Sequence, residues 1–211
     1  MPAPRKFTRD QLQAAALALV DDQGLAALTM RSLAAKLGTG PMTIYNYVDG
    51  REGLEHLVSE AVMATASWDT TPSGDWANDV LAVAEGMWRA VRAHPHTIPL
   101  ILTLRTIDIA TLRPAEALLA ALAGSGRSGT ELLVAFRTVS GFVTGFAQAE
   151  LAGPLSLARG ENLDTQTDRI KDLPSEEFPK LIEIAHAAAT SDPETEFRAG
   201  MTVILTGLKA G

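Results

Sequence analysis

In the segment Pro41-Met42-Thr43-Ile44-Tyr45-Asn46-Tyr47, helical spacing turns Met42, Thr43, Asn46 and Tyr47 outward. Threonine and asparagine carry short groups that donate and accept hydrogen bonds. Methionine and tyrosine add apolar surface, and tyrosine a hydroxyl. A short helix with such a face suits the base edges of a DNA major groove, which is wide enough to admit it. Tyr45, one turn into the helix, and Arg51, at the start of the next, are spaced to meet phosphates on either side of the groove. The same pattern also fits a structural corner in which a tyrosine fills the core, and spacing alone leaves both readings open.

Other chemistry finds little support. The absence of cysteine removes thiol catalysis, disulfides and Cys-based zinc sites. Glu183-Ile184-Ala185-His186 is a lone Glu-x-x-His, where a di-iron bundle needs two with two further glutamates. His94 and His96 flank a proline without a third ligand, and Glu52 with His56 reads as a solvated pair on one helix face. No phosphate loop, Gly-x-Ser-x-Gly or dinucleotide fingerprint occurs. No catalytic residue, metal or cofactor is therefore expected.

The elements that must position the short helix have clear boundary chemistry. Thr8-Arg9-Asp10-Gln11 fits a capping box, with Phe7 and Leu12 as its hydrophobic staple. The helix that follows carries Leu12, Ala16, Leu19 and Val20 on one face and stops at Gly24. Thr29 caps a second helix with Leu33, Ala34 and Leu37 inside and Gly38 at its end. Pro41 opens a third, expected to reach Tyr47 or Val48 with Ile44 and Val48 inward. Asp49-Gly50-Arg51-Glu52 reads as another capping box, before a fourth helix lined by Leu54, Leu57, Val58, Ala61 and Val62. Two short helices around a glycine-bearing turn describe a helix-turn-helix.

Helical periodicity continues to the end of the chain, and strand alternation never persists. An all-α fold is expected, with a three-helix helix-turn-helix domain (residues 1–66) joined by helix four to a helical C-terminal domain (67–211). The polar joint at 67–75 marks the boundary. Later helices are expected near 76–93, 97–103, 106–123, 128–152, 176–190 and 193–209, with 154–174 a long loop or weak helix. The net charge of −7 opposes DNA binding, but residues 1–50 hold five Lys/Arg against four Asp/Glu and the remainder thirteen against twenty-one. An acidic body with a near-neutral reading end is therefore possible. No uninterrupted apolar run exceeds seven residues (Ala117–Ala123 is one), well short of the roughly 18 that span a bilayer. With no apolar leader pattern at the start, the expectation is a cytoplasmic protein without a membrane partner.

Two late helices are the most apolar. One repeats Leu132, Phe136, Val139, Val143 and Phe146, the other Phe197, Met201, Ile204, Leu205 and Leu208. Gly141, Gly145, Gly200 and Gly207 lie within them, each costing about 1 kcal/mol relative to alanine, which close helix approach would explain. A reader this short covers few base pairs, so a twofold homodimer on a palindromic site is the usual solution. These helices either pair with a second copy or fill the chain's own core. Met87, Trp88, Leu102, Arg105, Ile107, Phe136, Phe142 and Phe146 are candidates to line an apolar ligand cavity, with Arg105 facing a polar ligand group; the same residues also read as ordinary core.

Residues 28–54, from Leu-Thr-Met-Arg-Ser-Leu-Ala-Ala-Lys-Leu-Gly through Ile-Tyr-Asn-Tyr-Val to Arg-Glu-Gly-Leu, closely resemble the signature of TetR-type one-component regulators. The resemblance covers about residues 8–62. It implies that Thr29, Tyr45 and Arg51 contact phosphates and that Arg31, Met42, Thr43, Asn46 and Tyr47 approach bases. Arg51 stands where the family usually has lysine, and Val48 where phenylalanine is commoner. The family's four-helix dimer interface implies self-association through Leu132, Phe136, Val139, Gly141, Val143 and Gly145 of one helix with Phe197, Gly200, Met201, Ile204, Leu205 and Leu208 of the other. The implied function is repression of transcription from a palindromic double-stranded DNA operator, released by a small apolar or amphipathic effector. No histidine lies near the end of helix four, so metal–tetracycline chemistry is not implied. A helical small-molecule carrier or a dimerisation module without sequence-specific DNA binding is the alternative.

Overall fold

The computed structural model describes residues 6–103, 109–152, 170, 173–188 and 190–210, and its regular elements there are all helical. In chain order they are α1 (Arg9–Gln23), α2 (Met30–Lys36), α3 (Pro41–Tyr45), α4 (Gly50–Ala64), α5 (Trp76–Arg92), α6 (Ile98–Thr103), α7 (Ile109–Ala123), α8 (Gly129–Ala152), α9 (Pro179–Ala188) and α10 (Pro193–Ala210). Single 3₁₀ turns at Leu25–Ala27 and Pro95–Thr97 join α1 to α2 and α5 to α6. Arg105, Ile107 and most of 154–174 lie outside the described residues.

The expected capping box at Thr8 forms, and the cap expected at Thr29 is itself a full capping box. Thr8 Oγ1 accepts from Gln11 N–H while Gln11 Oε1 accepts from Thr8 N–H, and Thr29 exchanges the same pair of bonds with Ser32. The box expected at Asp49 does not form. Asp49 occupies the cap, but its carboxylate makes no bond into the helix, and Gly50 turns the chain with a left-handed backbone (φ +58°). Asp75 caps α5 through Ala77 N–H, and Asp192 caps α10 through Thr195 N–H.

The chain packs as two compact units, residues 1–136 and 137–211. The division falls well beyond the polar joint at 67–75, because α4 packs against α5 and α7 as well as against α1. In the first unit α1 lies along α4, burying Leu12, Ala16, Leu19 and Val20 against Leu54, Leu57, Val58 and Val62. A buried carboxylate fastens the pair. Glu60 is 1% exposed and accepts from Arg9 Nε (2.9 Å), Arg9 Nη2 (2.6 Å) and Gln13 Nε2 (2.7 Å). Both carboxylate oxygens are thus satisfied, which a buried charge requires.

In the second unit Val139, Val143 and Ala147 of α8 are buried with Phe197 and Met201 of α10. Phe142, Phe146 and Phe197 form a ring cluster with centroids 5.4–5.5 Å apart. This corrects part of the expected partner surface, since Val139, Val143, Phe197, Met201 and Leu205 are the unit's own core. Gly200 belongs to that core too: a methyl group there would overlap the Phe142 ring. Gly141, Gly145 and Gly207 instead face open space. Over Gly129–Leu151, α8 is long and apolar enough by composition to cross a bilayer, and most of its residues are not buried in the chain.

Because Phe142 fills the place of a side chain at position 200, Gly200→Ala should destabilise the protein by about 1–3 kcal/mol. Gly207→Ala should be neutral or slightly stabilising in the isolated chain. Urea unfolding followed by circular dichroism reads both, and equal midpoints for the two variants would contradict the packing.

Candidate nucleic-acid interface

The turn between α2 and α3 is closed by its backbone. Leu37 N–H donates to Leu33 O (3.1 Å), Gly38 N–H to Ala35 O (3.1 Å) and Thr39 N–H to Ala34 O (2.9 Å). Gly38 adopts φ +62°, the left-handed conformation that glycine takes without steric cost. Pro41 then starts α3 with φ already set for a helix. Ile44, fully buried, points α3 into the N-terminal core.

What α3 turns outward is Met42 (75% exposed), Tyr45 (51%) and Asn46, at i, i+3 and i+4 on one face. Thr43 flanks them half-buried, with its hydroxyl accepting from Thr39 Oγ1 (3.1 Å). The helix is shorter than its sequence pattern suggested. After Tyr45 the bonds tighten to Asn46 N–H→Thr43 O and Tyr47 N–H→Ile44 O, one residue shorter in span than α-helical bonds.

That tightening redirects Tyr47, the one expected base-contacting side chain that the fold turns away. Its hydroxyl accepts from Phe7 N–H (2.9 Å) and its ring lies 6.3 Å from that of Phe7, packed against the core. Arg51 also differs from expectation. Its Nη1 donates to Leu28 O (2.7 Å), Nη2 to Leu25 O (3.1 Å) and Nε to Glu55 (2.5 Å). The guanidinium therefore clamps the turn that leads into Thr29, rather than standing out toward a phosphate. Thr29 itself is exposed at the α2 cap, with its hydroxyl held by Ser32. Lys36 pairs with Asp22 (3.1 Å), whereas Arg31 is exposed and makes no ion pair among the described residues. The Arg51 clamp was not legible from spacing, because its acceptors are backbone carbonyls more than twenty residues away.

Residues 12–56 match the family described as Bacterial regulatory proteins, tetR family, and residues 69–211 match Tetracyclin repressor-like, C-terminal domain. The chain belongs to the TetR family of bacterial regulatory proteins. It is 29% identical to the HTH-type transcriptional repressor DrrR1 of Streptomyces coeruleorubidus over 146 residues, which are 69% of this chain and 54% of that one. Its identity to an HTH-type transcriptional regulator of Saccharopolyspora erythraea is also 29%, over 68% of this chain and 61% of the relative. It thus spans little more than half the length of these two curated relatives. Among solved structures, the Streptomyces coelicolor TetR family protein ActR in complex with actinorhodin superposes with a TM-score of 0.76 at 27% identity, covering 99% of both chains.

A second feature of this TetR-family fold is a cavity of about 930 Å³ in the first unit, between the end of α4, the 66–74 segment, the start of α5 and α7. Trp68, Trp76, Val83, Pro114 and several alanines line it. Gly86 lets the segment lie close, since a side chain there would strike the Ser67 carbonyl and the Trp68 ring. The ligand candidates from the sequence are not gathered here. Trp88 is fully buried in the first unit's core, Leu102 is 43% exposed, and Phe142 and Phe146 belong to the ring cluster of the second unit. Met87 and Phe136 are half-buried and also absent from the lining. Composition could have pointed to the cavity only through Trp68 and Trp76, which flank the polar joint.

The two arginines should separate in experiment. Arg51→Ala should lower stability by about 1 kcal/mol or more, since two backbone carbonyls lose a charged donor. Arg31→Ala should leave stability unchanged and reduce the salt dependence of DNA binding by about one counterion. Thermal melting and binding titrations at several salt concentrations measure both, and the reverse pattern would contradict the clamp.

Proposed function

We propose that the chain is a ligand-responsive repressor that binds a palindromic operator as a homodimer in the cytoplasm. The observation that carries this is the Met42–Tyr45–Asn46 face, held outward on a helix whose opposite side is locked into the core by Ile44. Met42 supplies apolar contact and Asn46 a bidentate amide for base edges, while Tyr45 and Thr29 serve phosphates; Arg31, which the resemblance placed toward bases, is assigned to a phosphate because it is exposed and makes no ion pair among the described residues. Arg51 contributes by positioning the Thr29 turn.

The dimer surface that fits the packing is the outer side of the two apolar helices rather than their buried stripe. Gly141 and Gly145 of α8 and Gly207 of α10 leave open space, and Val203 is 74% exposed. A closely packed second copy would cover these positions and the unburied length of α8. Leu132, Ile204 and Leu208, half-buried in the chain, would lie at its margin.

The effector would occupy the cavity at the end of α4. One helix then serves both ends: Met63 and Ala64 line the cavity, while Leu54, Leu57 and Val58 hold α1. A second connection runs from the 94–97 turn to the last turn of α1, where His94 Nδ1 meets the Asp21 carboxylate (2.9 Å) and His96 Nδ1 lies 3.0 Å from Val20 O. An effector that prefers one α4 position shifts the dimer between geometries that do and do not fit the operator, to the extent of its differential affinity.

A gel shift with the protein's own upstream DNA tests the reading. A shift competed by one palindrome and not by random DNA is expected, and Asn46→Ala should relax preference at one base position by about 1–3 kcal/mol. Val203→Glu should weaken operator binding and yield monomers in sedimentation. A helical carrier would give no sequence-selective shift.

A further inference from the structure

We infer that the cavity between α4, α5 and α7 takes an organic cation built on a flat apolar ring system, a ligand class that rests on the effector reading above. Two observations lead there, the shape of the walls and the sign of the charge around them.

The walls are aromatic and smooth. Trp68 and Trp76 supply aromatic surface, while Ala117, Ala120, Ala121 and Gly124 give α7 a lining with no branched side chain among these four. A flat ring system packs against such a surface with few gaps. Indole rings also attract cations, and Trp76 already carries one: the Arg127 guanidinium lies 5.9 Å from its ring centroid. At about 930 Å³ the space is within the usual range for a small-molecule site.

The charge is unbalanced. Asp69, Asp79 and Glu116 line the cavity against Arg113 alone, leaving it two negative charges in excess. Asp79 Oδ1 accepts from Ser73 N–H (2.8 Å) and Asp69 Oδ1 from Thr71 N–H (2.9 Å), so backbone donors hold both carboxylates in place at the cavity. The Thr71 bonds, backbone first, hold the Asp69 carboxyl below its ordinary range. Neither Glu116 nor Arg113 has an ion-pair partner among the described residues, although they stand three apart on α7. An anionic ligand would meet one attractive and three repulsive charges, whereas a cation meets three attractive and one repulsive.

Three probes that share one ring system and differ in charge decide the matter: 9-(aminomethyl)anthracene (protonated at pH 7), 9-anthracenemethanol and 9-anthracenecarboxylate. Each is titrated into the full chain without DNA, following tryptophan quenching. Two of the three tryptophans line the cavity, and buried Trp88 provides the background. The order should be amine, then alcohol, then carboxylate, with the amine bound roughly three- to tenfold more tightly than the carboxylate and the ratio shrinking as salt rises. Glu116→Gln and Asp69→Asn, both at exposed positions, should each narrow that ratio by roughly twofold and leave alcohol binding unchanged. Equal or tighter carboxylate binding, a ratio untouched in both variants, or no quenching by any probe would overturn the inference. The upstream-DNA gel shift is run on the same preparations. A retained shift with no charge preference sinks the ligand class alone, and a charge preference without a shift sinks the regulator reading alone.

Discussion

A helix of five residues cannot hold itself together in water. Nucleating a helix fixes several residues for a single hydrogen bond, and isolated helices below about 12–15 residues are marginal even in favourable sequences. α3 therefore exists because the tertiary structure supplies what its own backbone lacks. Ile44 is fully buried, Pro41 fixes the first turn, and Gly38 closes the corner behind it. Burying one isoleucine contributes roughly 1.5–3 kcal/mol, less than the cost of ordering five residues at about 1–2 kcal/mol of backbone entropy each, so the proline start and the closed corner are needed as well. The orientation of the outward face follows, since Met42, Tyr45 and Asn46 point away from the core wherever Ile44 points into it.

The support beneath α3 consists of connections that reach far along the sequence. α1 lies on α4 through an apolar seam, fastened where Arg9 and Gln13 converge on buried Glu60. Arg51 ties the start of α4 to the carbonyls of Leu25 and Leu28, fixing the turn that presents Thr29. Phe7 and Tyr47 close the same body from the chain's beginning. Each bond joins residues 23 to 51 positions apart, so the outward face of α3 depends on cooperative folding of the whole N-terminal region. A regulator gains from that arrangement: a displacement of α4 is felt at α1 and at the Thr29 turn together, because packed interiors shift as bodies rather than deform smoothly.

The cavity and the N-terminal helices share α4. Its first three turns face α1, and its last turn opens toward Trp68, Trp76 and α7. α4 also packs with α5 and α7, which is why the compact first unit continues to Phe136. In the second unit the apolar stripe of α8 and α10 is consumed by the unit's own core, leaving glycines and Val203 on the outer side. Small residues on an exposed helix face permit close approach of another helix, a use that differs from filling an interior.

Local chemistry was legible in the sequence alone. The capping box at Thr8, the cap at Thr29, the breaks at Gly24 and Gly38, the proline start of α3 and the buried stripes of α1 and α4 all depend on neighbours within a few residues, and helical periodicity carries that information directly. The family signature over residues 28–54 lies in the same local pattern. Only the tertiary structure decided that Tyr47 turns inward to Phe7, that Arg51 spends its donors on two distant carbonyls, that Gly200 makes room for Phe142, and that the cavity opens beside Trp68 and Trp76 rather than among the expected phenylalanines. Each of those outcomes is a competition between partners far apart in the chain. Residue type shows what a side chain can bond, but only folding determines which partner comes within reach.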